Sequence, residues 1–181
     1  MVRMVKDIKV PTMSEETLKF LVKLIKTNNY KTILEIGSAV GDSALYLANK
    51  TDVSIVSLEK DLSRYETALK NQQKLGNEQV AFIHADALTY NLEGQFDLII
   101  IDAAKTKNKE LFERFAKHLN QDGAIVTDNL ALSCIKGKVL NKNRLRLLRK
   151  TKEFIDFLKN HEEFTTTFID IGDKIAITKR K

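Results

Sequence analysis

The chain is expected to fold as a doubly wound α/β sheet. Short apolar runs alternate along it with amphipathic runs of helical spacing. One proline and seven glycines in 181 residues argue for long regular elements. The segment 96–102 is almost wholly apolar, as a strand covered on both faces must be.

The elements follow in order. Ser14 is placed to cap a first helix, with Glu15 and Glu16 set against its dipole and Leu18, Leu21, Val22 and Ile25 at helical spacing. Thr32–Ile36 reads as a buried strand and 41–49 as the helix after a glycine turn. Ser54–Glu59 is a second strand that ends on an acid. Leu62–Leu75 is a helix stopped by Gly76 and Asn77. Val80–His84 and 96–102 are further strands, 108–118 is helical, and 123–128 is a fifth strand. The segment 143–160 is a long helix carrying Leu145, Leu148, Ile155 and Leu158. Segments 165–170 and 175–179 flank the turn Gly172-Asp173, and so short a link suggests antiparallel pairing. The β-α-β-α-β-α-β alternation predicts right-handed crossovers. The least regular stretch, 130–142, is a candidate substrate loop or lid.

Length and composition fit one domain over residues 1–181, with 43% apolar and 30% charged residues. No apolar run is long enough to span a bilayer, and the first residues lack the apolar core of a signal peptide. The single cysteine, Cys134, cannot form an intramolecular disulfide, so a cytoplasmic location without membrane attachment is expected. The formal net charge is +6. No acid occurs between Asn129 and Glu153, a stretch that holds Lys136, Lys138, Lys142, Arg144, Arg146, Arg149, Lys150 and Lys152. Such a run is either a solvated helix face or a contact for nucleic-acid phosphates, for which arginine is well suited.

Two short segments and a third carry the chemistry. Glu35-Ile36-Gly37-Ser38-Ala39-Val40-Gly41 is a glycine turn between strand and helix, where backbone can approach a ligand closely. Its G-x-x-x-G spacing is not the dinucleotide G-x-G-x-x-G fingerprint. Glu35, inside an apolar strand, needs a partner to be buried there. Glu59, ending the second strand, can accept hydrogen bonds from both hydroxyls of a ribose. Asp102 and Asp128 each end an apolar run, and with the Asn129 amide they make a half-shell of hard oxygens suited to Mg²⁺, Ca²⁺ or Mn²⁺. Each acid alone is equally consistent with a helix cap. Zinc is disfavoured by the lack of a Cys/His cluster. Lys105, three residues past Asp102, is either a surface lysine or a base whose ammonium form a nearby cation disfavours. His84, His118 and His161 fall outside this group and read as structural.

These residues resemble the cation-dependent class I S-adenosylmethionine O-methyltransferases, the caffeoyl-CoA and catechol O-methyltransferase group. The likeness rests on Val10-Pro11-Thr12-Met13-Ser14, Leu34-Glu35-Ile36-Gly37, Phe96-Asp97-Leu98-Ile99-Ile100-Ile101-Asp102-Ala103-Ala104-Lys105, Val126-Thr127-Asp128-Asn129 and Gly172-Asp173-Lys174-Ile175-Ala176-Ile177. It implies a seven-stranded Rossmann-like sheet with its last strand antiparallel. It also implies that Glu35, Gly37 and Ser43 surround the methionine part of S-adenosylmethionine, that Glu59 holds the ribose, and that Asp86 and Ala87 lie near the adenine. Asp102, which also borders the cofactor, Asp128 and Asn129 would bind the metal, and Lys105 would act with Asp102 in catalysis. Within the group the chain is most similar to the bacterial branch that methylates 5-hydroxyuridine at the tRNA wobble position, through Arg144, Arg146 and Arg149. Asp42 stands where the group usually has an aromatic, and the segment before Val10 is short beside the family's dimer-forming extension, which leaves a homodimer open. Two alternatives stand beside tRNA methylation: a catechol-type small-molecule O-methyltransferase, and a non-catalytic nucleic-acid-binding domain on the same scaffold.

Overall fold

The computed structural model describes residues 13–131 and 141–181 in full, and the backbone alone of Val2–Val5 and Ile8–Pro11. The expected loop at 130–142 lies largely outside the described residues, as do Cys134, Lys136 and Lys138. Two short antiparallel strands, β1 (Val2–Val5) and β2 (Ile8–Pro11), form a hairpin ahead of the main sheet that the sequence reading does not anticipate.

Helix α1 (Glu15–Asn28) starts where expected, with the Ser14 side chain accepting the Thr17 N–H at 3.1 Å. Then follow β3 (Thr32–Ile36), α2 (Asp42–Lys50), β4 (Ser54–Glu59), α3 (Leu62–Leu75), β5 (Val80–His84), β6 (Phe96–Ile101), α4 (Asn108–Phe115), β7 (Leu119–Thr127), α5 (Lys142–Lys159), β8 (Phe164–Ile169) and β9 (Ile175–Arg180). A single 3₁₀ turn, Lys105–Lys107, precedes α4.

The main sheet has the order β5-β4-β3-β6-β7-β9-β8. The first five strands are parallel; β9 runs antiparallel to both β7 and β8, which it separates. The last strand is therefore reversed, as expected. Strand β7 begins four residues earlier than the apolar pattern marks. The polar Asn120-Gln121-Asp122 reads as a turn, but the chain passes it through a register shift opposite Phe96 and Leu98. Gly123 allows this, since a Cβ there would lie 2.7 Å from the Asp97 carbonyl oxygen.

Alternation along the central strand divides the core. Leu98 and Ile100 of β6 face the layer of α1 and α2, packing with Leu21, Ile33 and Leu47. Ile99 and Ile101 face the layer of α4 and α5, packing with Leu34, Phe112 and Phe154. Burying such side chains stabilises each by about 1.5–3 kcal/mol, and this fixes the strand ends that carry the site. Among the described residues, no helix is long and apolar enough to cross a membrane.

Candidate active site

Register decides which side chains meet. Ile36 pairs with Leu58 on one side and Ile101 on the other, and Ile101 pairs with Thr127. The next residues, Gly37, Glu59, Asp102 and Asp128, therefore stand side by side at the carboxyl edge of the sheet, where open α/β sheets bind ligands. Backbone bonds continue one step beyond the strands, from Asp102 N–H to the Ile36 carbonyl at 3.0 Å and from Asp128 N–H to the Ile101 carbonyl at 3.1 Å. A cavity of about 350 Å³ opens beside this edge.

The glycine turn forms the cavity's inner wall. Gly37 has φ 98°, and a Cβ on it would collide with the Asp102 carbonyl. Its N–H and that of Ser38 both bond the Leu58 carbonyl, at 2.9 and 3.2 Å. Glu59, only 6% exposed, receives the Ala39 N–H on Oε2 and the Asp61 N–H on Oε1, each at 2.9 Å. Each oxygen still has a lone pair free to accept a hydroxyl.

Glu35 sits behind this wall, 1% exposed. Ser43 Oγ donates to its Oε1 and Ser57 Oγ to its Oε2. Burial raises its pKa above the ordinary carboxylate range, while the two serines oppose the rise. Glu35 thus ties β3 to the start of α2 through Ser43 and to β4 through Ser57; Glu35 and Ser43, like Lys105 and Asp128, are not among the residues lining the cavity. Gly37, Glu59, Asp86, Ala87, Asp102 and Asn129 do line it. Asp86 shapes its own corner, with Oδ1 accepting the Leu88 N–H at 2.9 Å.

Burial pushes Asp102 up to about 6, with the Glu35 charge adding to the rise and the Lys105 ammonium opposing it. Burial and the Asp102 charge push Asp128 up to about 7, against its hydrogen bond from the Asn129 N–H at 2.7 Å. Asn129 takes the left-handed conformation, φ 67°, which asparagine tolerates and which turns its N–H back onto that carboxylate. Two carboxylates crowded in a low-dielectric corner and an adjacent amide oxygen are a donor set that fits a hard divalent cation. Among the described residues, no group of three or more His, Cys, Asp or Glu is arranged to hold a metal; the set here is two acids and an amide.

Sequence reasoning missed three features. Ser57, fully buried in β4, is the second clamp on Glu35; a serine inside an apolar strand was the available signal. Asp173 raises the pKa of both Asp102 and Asp128. It arrives because β9 lies against β7, where the Leu130 and Ala131 N–H groups bond the Lys174 and Asp173 carbonyls at 2.9 and 2.7 Å. Lys60, Arg64 and Lys107 also line the cavity. Of the basic stretch, Arg144 is half-buried and Arg146 exposed near the start of α5, a helix that packs on the Lys105–Lys107 turn. Arg149 lies 3.5 Å from Glu153, which also pairs with Lys150 at 2.8 Å, so part of the run is neutralised within its own helix.

Seven strands in this order, with an antiparallel strand set between β7 and β8 and a ligand edge built of acids, define a Rossmann-like methyltransferase fold. The family model for O-methyltransferases matches residues 2–181. A caffeoyl-CoA O-methyltransferase from Populus kitakamiensis is 30% identical over 176 residues, covering 90% of this chain and 75% of that protein. A catechol O-methyltransferase from Niastella koreensis is 33% identical over 135 residues, 69% of this chain and 59% of that one. A solved Staphylococcus aureus structure, provisionally described as a caffeoyl-CoA O-methyltransferase, superposes with a TM-score of 0.88 at 32% identity, covering 95% of this chain and 86% of that chain. The chain belongs to the O-methyltransferase family, the class I S-adenosylmethionine-dependent enzymes of the caffeoyl-CoA and catechol type.

Proposed function

We propose that this O-methyltransferase uses a divalent cation and methylates 5-hydroxyuridine at the wobble position of tRNA. The observation that carries the metal reading is the pair Asp102 and Asp128, set on adjacent strand ends beside Asn129 with both pKa values raised. S-adenosylmethionine supplies a methyl group activated on a sulfonium. Glu59 would accept the ribose hydroxyls, Asp86 and Ala87 would border the adenine, and the Gly37 turn would receive the methionine part, with Glu35 and Ser43 holding that turn from behind. Asp102, Asp128 and Asn129 would hold Mg²⁺, or Ca²⁺ or Mn²⁺, which lowers the pKa of a bound hydroxyl and orients two neighbouring oxygens. The 5-hydroxyl and 4-carbonyl of 5-hydroxyuridine are such a pair. Lys105, near enough to both acids for its charge to oppose their pKa rise, would in its neutral form accept the hydroxyl proton or as the ammonium stabilise the oxyanion, leaving the oxygen to attack the methyl in line.

The tRNA assignment is supported by α5, whose Arg144 and Arg146 stand on the helix packed against the Lys105 turn. A small catechol acceptor is the second reading, favoured by the Niastella relative. Undermethylated tRNA, labelled cofactor and Mg²⁺ decide between them. Label should enter the tRNA and fall at least tenfold when Arg144 and Arg146 are changed to Gln. Strong catechol turnover with no label in tRNA would replace the tRNA assignment with the small-molecule one.

A further inference from the structure

The proposed cofactor and metal together account for the acids of the cavity and leave two of its cations unexplained. Lys60 and Arg64 line the cavity at the corner between β4 and α3, next to Glu59. The adenosine that Glu59 would hold carries no negative charge, so neither cation has a counterpart on it. Among the described residues, neither side chain has a carboxylate within ion-pair distance. Asp61 bonds the backbone N–H of Arg64 at 3.0 Å and so caps α3. Arg64 also sits in the first turn of α3, where a cation opposes the helix dipole. A placement that weakens its own helix and faces a ligand cavity points to a ligand.

Topology sets these cations apart from the basic helix. Strand β3 lies between β4 and β6. Lys60 and Arg64 follow β4; Lys107, another lining residue, follows β6 on the turn against which α5 packs, and is already paired with Glu110 at 2.9 Å. Along the edge, Lys60 and Arg64 therefore stand on the β4 side of the Gly37 turn, and α5 with Arg144 and Arg146 stands on its β6 side. We infer that Lys60 and Arg64 form a second phosphate-binding face, so that an RNA strand crosses the cavity mouth from the start of α5 to the start of α3. The inference rests on the tRNA reading and adds to it where the strand runs. Phosphates held on the two sides of the cavity mouth leave one base over the cavity between them.

The test is the binding of a synthetic anticodon stem-loop containing 5-hydroxyuridine, followed by fluorescence anisotropy across a salt series. The double variant K60Q/R64Q should bind about tenfold more weakly at low salt. Its slope of log affinity against log salt should fall by about 1.4, about 0.7 for each lost single-strand phosphate contact. Calorimetry should find its affinity for S-adenosylmethionine within twofold of wild type. Wild-type slope and affinity in the double variant would overturn the inference and leave the tRNA reading standing. A matching fall in cofactor affinity would overturn it too, by assigning both cations to the cofactor. No stem-loop binding by the wild type would sink both readings. Coenzyme A, which offers phosphates without a strand, should displace the RNA no better than inorganic phosphate; clear displacement at lower concentration would reassign the face to a small phosphorylated ligand.

Discussion

Strand β6 carries an aspartate near each end, and the chain treats them differently. At the amino edge, Asp97 Oδ2 accepts the Lys31 and Thr32 N–H groups at 2.7 and 3.0 Å, and Oδ1 accepts the Asn120 side-chain amide at 2.7 Å. Burial acts to raise its pKa, but these bonds outweigh it and hold the carboxyl below the usual range. At the carboxyl edge, Asp102 is pushed the other way, to about 6, by burial and the charge of Glu35. An acid that ties β3, β6 and β7 together is satisfied by the protein itself. The acid at the ligand edge carries a cost in stability that the proposed cation would offset.

Neutralising each acid in turn should separate the two roles. Asp102→Asn should slow methyl transfer roughly 10³-fold, the scale of several kcal/mol of lost metal assistance. The same change should leave the metal-free protein at least as stable at neutral pH, because it removes a crowded buried charge; initial rates and thermal melts measure the two effects. Asp97→Asn should do the reverse. Denaturant unfolding should show a loss of about 1–2 kcal/mol, allowing for solvent screening of a half-buried group, and methyl transfer should stay within twofold. A stability loss at Asp102 equal to that at Asp97 would erase the distinction.

The two acids should also differ in their dependence on pH. A carboxyl with a raised folded pKa binds more protons in the native state than in the unfolded chain, where its pKa is about 3.9. Stability of the metal-free protein should therefore decline from about pH 4 through the values near 6 and 7 of Asp102 and Asp128. Asp97 has the opposite sign: its contribution is complete above the unfolded pKa and is lost as pH falls through its lowered folded value. Melting temperatures over pH 4.5–8 should show the decline, and Mg²⁺ should raise the midpoint more at pH 7.5 than at pH 5. The smallest effect belongs to Arg149→Gln, whose exposed pair with Glu153 should leave the melting temperature unchanged within error.

Much of this was legible in the sequence because strand ends in a parallel sheet declare themselves. Apolar runs that stop at Glu59, Asp102 and Asp128 marked both the strands and the edge where they converge. Strands Thr32–Ile36, Ser54–Glu59 and Val80–His84 stand where periodicity placed them. What stayed hidden depends on contacts far apart in sequence. The polar start of β7 looks like a turn until Asp97 and Gly123 are seen to pack together. Asp173 reaches the site only because β9 enters between β7 and β8. Glu35 was marked by its cost of burial, but which serines would meet it depends on how β4 and α2 are placed against β3. Arg149 read as part of one basic run, while Glu153, a turn along α5, offsets it.

On the proposed reading, Asp102, Asp128 and Asn129 hold a catalytic divalent cation. A titration of Mn²⁺ into the metal-free protein at pH 7.5, read by paramagnetic resonance alongside the rate of methyl transfer, tests it most directly. One ion per chain should bind in parallel with the rise in rate, and both should be lost in Asp128→Asn. Undiminished Mn²⁺ binding in that variant, or full transfer in excess chelator, would contradict it.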